Sequence, residues 1–126
     1  MKISYKELNE AEQSFSRILQ APMEAKLAYR ISKIAQKTIS VYKDIRKYRN
    51  ELINKYGAKK GDVISVLPEK QEEFEKAWEA YMDKEFDFDI QLIPWEVIEL
   101  SGVKLSPLDI AILEKFIDVS GGKEKI

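Results

Sequence analysis

The side chains able to do chemistry in this 126-residue sequence are restricted, because it contains no histidine and no cysteine. The commonest general base and metal ligand is therefore missing. So are thiolate nucleophiles, disulfides and cysteine-based zinc or iron–sulfur sites. The densest remaining group of potential ligands is the acidic ladder Asp83, Glu85, Asp87, Asp89. On a strand, Glu85, Asp87 and Asp89 project from one face, and carboxylates so placed can hold Mg²⁺ or Ca²⁺. The alternation is explained without a metal as the polar face of a half-buried strand whose other face is Phe86, Phe88 and Ile90. No glycine-rich phosphate loop or nucleotide fingerprint accompanies it. Neither a metal nor another cofactor is expected, no catalytic residue is assigned, and the chain reads as a non-enzyme.

A second group of candidates is cationic. Across residues 26–60 eleven basic residues face two acids, a net of +9, and across residues 62–99 twelve acids face three lysines, a net of −9. Lys43, Arg46, Lys47, Arg49, Lys55, Lys59 and Lys60, interleaved with Tyr42 and Tyr48, form a footprint that could neutralise phosphates of a nucleic acid. The near-equal opposite charge of the following segment favours self-neutralisation instead, with Glu69, Glu72, Glu73 or Glu79 laid over the basic face. A third group is aromatic. Trp78, Tyr81 and Trp95 are the types over-represented at protein interfaces, and a small core also needs them as filler.

The elements that must position these groups are mostly helices. Ser4-Tyr5-Lys6-Glu7 is a capping box, and Leu8, Ala11, Phe15, Ile18 and Leu19 follow at helical spacing, so residues 5–19 are predicted as one amphipathic helix. Pro22 is placed to open the next helix at its first position. Leu27, Ile31, Ile34, Thr38, Val41, Ile45, Tyr48 and Leu52 then recur in steps of four and three, with Ala28, Ala35 and Tyr42 widening the stripe. This heptad seam predicts a helix over residues 23–56, roughly 50 Å at 1.5 Å per residue, ended by a left-handed cap at Gly57. The first helix can cover the N-terminal half of the seam. A third helix, opened by Pro68 and carrying Phe74, Ala77, Trp78, Tyr81 and Met82 on one face, can cover the C-terminal half. A homodimer through the heptad helix is the alternative, though Thr38 and Tyr48 are poor zipper residues.

Residues 62–67 and 86–92 read as strands that pair with each other. A short helix follows Pro94 and ends at Gly102, and Ser106-Pro107-Leu108-Asp109 caps a last core helix of twelve residues. The expected fold is mainly α: a long central helix packed by shorter antiparallel helices, with a small two-stranded β element. Residues 1–118 form a single domain and residues 119–126 a flexible tail. The longest nearly apolar run, residues 108–117, is interrupted by Asp109, Glu114 and Lys115 and is shorter than the roughly 20 residues a membrane span needs. No secretory h-region is seen, so a cytoplasmic protein without membrane contact is expected.

Several stretches taken together resemble one family. They include Ala25-Lys26-Leu27-Ala28-Tyr29-Arg30-Ile31, Asn50-Glu51-Leu52-Ile53-Asn54-Lys55-Tyr56-Gly57 and Leu67-Pro68-Glu69-Lys70-Gln71-Glu72-Glu73-Phe74, followed by Asp87-Phe88-Asp89-Ile90 and Leu105-Ser106-Pro107-Leu108-Asp109. Their order and spacing are similar to those of small uncharacterised proteins encoded by bacteriophages and prophages of Gram-positive bacteria. The resemblance implies a viral origin, a host-cell cytoplasm as location, and a role in virion assembly or in handling the host. It brings no functional residues. The functional expectation is a protein-binding inhibitor, adaptor or assembly accessory with Trp78, Tyr81 and Trp95 as anchors, and the alternative is a nucleic-acid-binding protein using the cations above.

Overall fold

A computed structural model describes residues 1–118 and Ser120, with the side chain of Lys60 left aside. The architecture is mainly α with minor β, organised on one long helix. In chain order β1 (Lys2–Ser4) leads into α1 (Tyr5–Glu10), α2 (Glu12–Leu19) and the central α3 (Ala25–Tyr56). A hairpin of β2 (Gly57–Lys60) and β3 (Val63–Val66) follows, then a 3₁₀ turn, Pro68–Lys70, and α4 (Gln71–Met82). The chain closes with β4 (Glu85–Asp87), β5 (Ile93–Pro94), α5 (Trp95–Ser101), α6 (Pro107–Leu113), a 3₁₀ turn Glu114–Phe116 and β6 (Ile117–Asp118). The expected tail, residues 119–126, lies outside the described residues except for Ser120.

The first predicted helix is two helices. The Ser4 hydroxyl accepts from the Glu7 amide at 3.1 Å, as a cap should. At Ala11 the amide is shared between the carbonyls of Glu7 and Leu8, at 3.2 and 3.1 Å, a local tightening typical of helix ends. The apolar stripe passes through this bend unbroken: Leu8, Ala11, Phe15 and Ile18 are all fully buried. Pro22 does not open α3. Residues 22–24 belong to no helix or strand while Met23 packs against the core, and the helix begins at Ala25 after Glu24 at φ −56°, ψ 142°.

Along α3 the seam is largely as spaced in sequence: Leu27, Ile31, Ile34, Thr38, Ile45 and Leu52 are buried. Tyr42 is buried in place of Val41, because its hydroxyl finds the Leu8 carbonyl at 2.8 Å and ties α3 to α1. Val41 and Tyr48 are half-buried and Ala28 is exposed. The Thr38 hydroxyl donates back to the Ile34 carbonyl at 2.8 Å, which satisfies it in the core. The chain's own elements cover the seam, with α2 and residues 88–98 flanking its N-terminal half, and α4 and the hairpin its C-terminal half. A two-stranded coiled coil through the seam would have to displace them.

Gly57 is not a left-handed cap. Its backbone is extended (φ −108°, ψ 170°) and starts β2. Glycine is still needed there, because a Cβ would lie 2.3 Å from the Ile53 carbonyl oxygen and 2.7 Å from that of Ser65. The predicted strand at residues 62–67 forms as β3, but its partner is β2, through a two-residue Gly61-Asp62 loop in which Gly61 takes φ +64°. Of the second predicted strand only Phe86 and Asp87 are formed, within β4, which pairs antiparallel with β1 in the register Ile3 opposite Phe86. β5 and β6 make a separate parallel contact. The last helix is seven residues long and then tightens and extends, so that Leu113, Phe116 and Ile117 are buried while Leu108 and Ala111 are exposed. Its capping box and the left-handed Gly102 after α5 are as expected.

An aromatic chain links these elements. Tyr48 stacks on Tyr81 (4.1 Å between centroids), Tyr81 on Tyr5 (4.6 Å) and Tyr5 on Phe86 (4.5 Å). It continues through Phe88 and Phe116 to Phe15, so rings from α3, α4, β4 and the C-terminal segment meet over the first helices. The other long-range tie is polar. Asp109 accepts from the Ser14 hydroxyl (2.8 Å) and the Ser106 amide (2.9 Å) and pairs with Arg17, locking α6 to α2. These bonds hold its carboxyl well below the usual range, the Ser106 amide foremost.

Candidate functional site

Where α2, α3 and α4 meet, two adjoining hollows of about 250 and 450 Å³ run along one flank of α3. The smaller lies between α2 and α3, over Phe15, Leu19, Thr38 and Ile39. The larger lies between α3 and α4, over Ile45, Phe74 and Trp78, and reaches Asn9 of α1. Glu12, Tyr42 and Arg46 belong to both and join them. From Ala35 to Arg49 the groove spans roughly 21 Å of helix at 1.5 Å per residue.

Each lining side chain is placed by an ordinary packing rule. Phe74 and Trp78 are one turn apart on α4 and turn the edge of its apolar face toward α3. Ile39 lies off the heptad seam, one position past Thr38, and is 48% exposed at the groove edge. Arg46 and Arg49 lie three apart and so share a side of α3. Arg46 approaches the Glu12 carboxylate at 4.0 Å. Arg49 makes no ion pair among the described residues. The Tyr42 hydroxyl is held protonated far into the alkaline range, by burial first and by the charge of Glu12 second.

The cations of the sequence footprint do not form one stripe, the side chain of Lys60 lying outside the described ones. At about 100° per residue, Arg46 and Arg49 turn toward the groove, whereas Lys43 and Lys47 project from the side of α3 opposite the core. Lys55 leans over the Tyr56 ring at 5.2 Å, and Lys59 is exposed on β2. The expected acidic cover is absent: Glu69, Glu72, Glu73 and Glu79 are exposed, and the ion pairs of this segment are internal, Lys70 with Glu73 and Lys76 with Glu72. The physical reason is the polarity of α4, whose apolar face is taken up by α3, leaving the carboxylates on its outer side.

The three aromatic candidates separate. Trp78 lines the groove, 6.0 Å from Tyr81 between centroids. Tyr81 itself is part of the packed aromatic chain, with its hydroxyl pKa pushed up to about 12, chiefly by burial. Trp95 is half-buried on α5 and donates to the Glu99 carboxylate at 2.7 Å. The neighbouring Glu96 pairs with Arg30, which projects about 160° round α3 from Arg46. Trp95 and Trp78 therefore do not share a surface. The acidic ladder is exposed, and no group of three acidic residues among the described residues has metal-holding geometry. No helix among the described residues is long and apolar enough to cross a membrane.

Sequence reasoning treated Trp78 and the arginines as evidence for different functions, and the structure puts Trp78, Arg46 and Arg49 in one cleft. It missed Asn9, Glu12, Ile39 and Phe74 as groove residues. The available signal was Ile39, an isoleucine outside the seam. No family model, curated protein or solved structure matches this chain.

Proposed function

We propose that the chain is a non-enzymatic interaction protein that binds a partner polypeptide in the groove between α2, α3 and α4. The observation that carries this reading is the lining: accessible apolar and aromatic side chains, Leu19, Ile39, Phe74 and Trp78, with arginines at the rim and three helices fixing the walls. A groove of this build suits a segment that lays apolar side chains into it. Trp and Arg are also the types that most often dominate binding energy at interfaces. The resemblance to small phage and prophage proteins fits a partner belonging to a host cell or to a virion.

One observation favours a second reading, nucleic-acid binding: the α4 carboxylates leave Lys43, Lys47 and Arg49 uncovered. Against it, a strand of phosphates is best tracked by cations on one continuous face, and here they point in three directions with the Glu12 carboxylate set among them.

Site-specific photo-crosslinking tests the choice. A photoreactive residue at Ile39, on the groove edge, is expected to capture protein partners that survive nuclease treatment, while the same group at Lys76, on the outer side of α4, captures none of them. Capture that vanishes with nuclease would turn the assignment to nucleic acid. Equal capture at both positions would remove the groove from it.

A further inference from the structure

Resting on that reading, we infer that the groove takes an acidic partner segment with two apolar anchors about 10 Å apart. The anchor spacing comes from the two hollows. Their α3 linings are centred near Ile39 and Arg46, seven residues or ~10 Å apart along the helix axis. Apolar side chains at i and i+7 of a helix point to one side at that separation, whereas same-face positions of an extended strand lie ~7 or ~13 Å apart, so the spacing fits a helical segment. One anchor sits against Leu19 and Ile39, the other against Phe74 and Trp78.

The acidic character comes from unbalanced charge. The groove lining holds two guanidiniums, Arg46 and Arg49, and one carboxylate, Glu12. Glu12 is 4.0 Å from Arg46, at the outer limit of an ion pair, and both side chains are about half exposed or more (47% and 62%). Arg49 stands at the far end without a carboxylate partner among the described residues. Lys43 and Lys47, exposed on the side of α3 opposite the core, add positive potential that Asp44 and Glu51 of the same helix offset in part. A carboxylate placed between or just beyond the two anchors completes these pairs with charge-assisted, bidentate geometry. A basic segment meets like charge at the same place.

The test uses the full chain carrying Trp95→Phe, which leaves Trp78 as the only tryptophan and makes its emission a report on the groove. A displayed random 12-residue peptide library is selected on this protein, and the winners are synthesised and titrated against Trp78 emission. Expected winners carry Asp or Glu beside two apolar residues, and Arg49→Glu weakens them by about tenfold or more. Changing the peptide carboxylate to lysine is expected to restore binding to the Arg49→Glu chain, an outcome that loss of folding cannot mimic. Winners that are basic, or neutral and indifferent to Arg46→Glu and Arg49→Glu, would overturn the acidic occupant while leaving the photo-crosslinking result to judge protein binding itself. An oligothymidylate that shifts Trp78 emission at lower concentration than any selected peptide would overturn both.

Discussion

The two halves of α3 carry cations at similar density and treat them differently. In the N-terminal half the Arg30 guanidinium meets Glu96 at 2.6 Å and the Lys37 ammonium donates to the Asp89 carbonyl, because residues 89–96 fold across that flank, while Lys26 and Lys33 make no ion pair among the described residues. In the C-terminal half Lys43, Lys47, Arg49 and Lys55 make no ion pair among the described residues, and Arg46 has a single contact at 4.0 Å. Net charges that cancel along the sequence therefore do not imply contact. An acidic helix that buries its apolar face must turn its carboxylates outward, and beyond about 8 Å salt screens what remains of the attraction. The cations of the groove, Arg46 and Arg49, belong to this second half.

Both halves should nonetheless be equally essential to the core, and breaking that equality would undo the comparison. Ile34→Ala and Ile45→Ala each remove a nearly fully buried side chain (5% and 4% exposed), so each is expected to cost about 2–5 kcal/mol in denaturant unfolding. A much smaller loss at Ile45 would mean that the C-terminal half is loosely packed and that the groove is a sign of slackness, not of a binding site.

Asp109 sharpens the contrast between charge in contact and charge merely near. Its carboxyl is depressed in the folded chain by the Ser106 amide first, then by Ser14 and Arg17. An unfolded Asp titrates at about 3.9. The stabilisation is therefore fully present above about pH 4 and is lost as pH falls below that toward the lower folded value. Thermal unfolding of the wild type should lose stability through this acid range more steeply than Asp109→Asn, which should start lower at neutral pH. Parallel curves would show that the α2–α6 tie contributes nothing through ionisation.

Much of this organisation was legible in the sequence, and the failures share a cause. The α3 seam, the α4 face, the Ser4 and Ser106 caps and the Gly102 stop follow from local spacing and local hydrogen bonds, which the sequence carries in full. Strand pairing does not: β1 is three residues of no particular pattern, and it becomes a strand only because residues 85–87 lie beside it. The Gly61-Asp62 loop was readable as a hairpin and was passed over for a longer-range pairing. Gly57 was recognised as special for the wrong reason, since its need is room beside two carbonyls and not a positive φ. The groove was least legible. It is a product of three helices, and sequence distance hides that Asn9, Arg49 and Trp78 line one hollow.

Smaller effects separate the two flanks further. Tyr42→Phe removes the hydrogen bond to the Leu8 carbonyl at the groove floor and should cost about 1 kcal/mol. In the wild type the folded state holds the Tyr42 and Tyr81 hydroxyls protonated, Tyr81 up to about 12, while unfolded tyrosines ionise near pH 10. That stabilisation is present below about pH 10 and is lost as pH rises through the folded values. Tyr42→Phe should flatten part of the alkaline decline, which an absorbance titration at high pH reads directly.

The smallest effect is the most discriminating. Arg30→Gln breaks an exposed but formed pair and should cost a few tenths to about 1 kcal/mol, diminishing with added salt. Arg49→Gln breaks no ion pair among the described residues and should change stability by less than about 0.5 kcal/mol. If the two variants lost stability equally, Arg49 would be holding the fold through an interaction as strong as that of Arg30, and its charge would not be available to a partner. If Arg49→Gln is neutral in folding and weakens peptide binding, the pair of substitutions separates Arg30, whose charge serves the fold, from Arg49, whose charge is left to a partner.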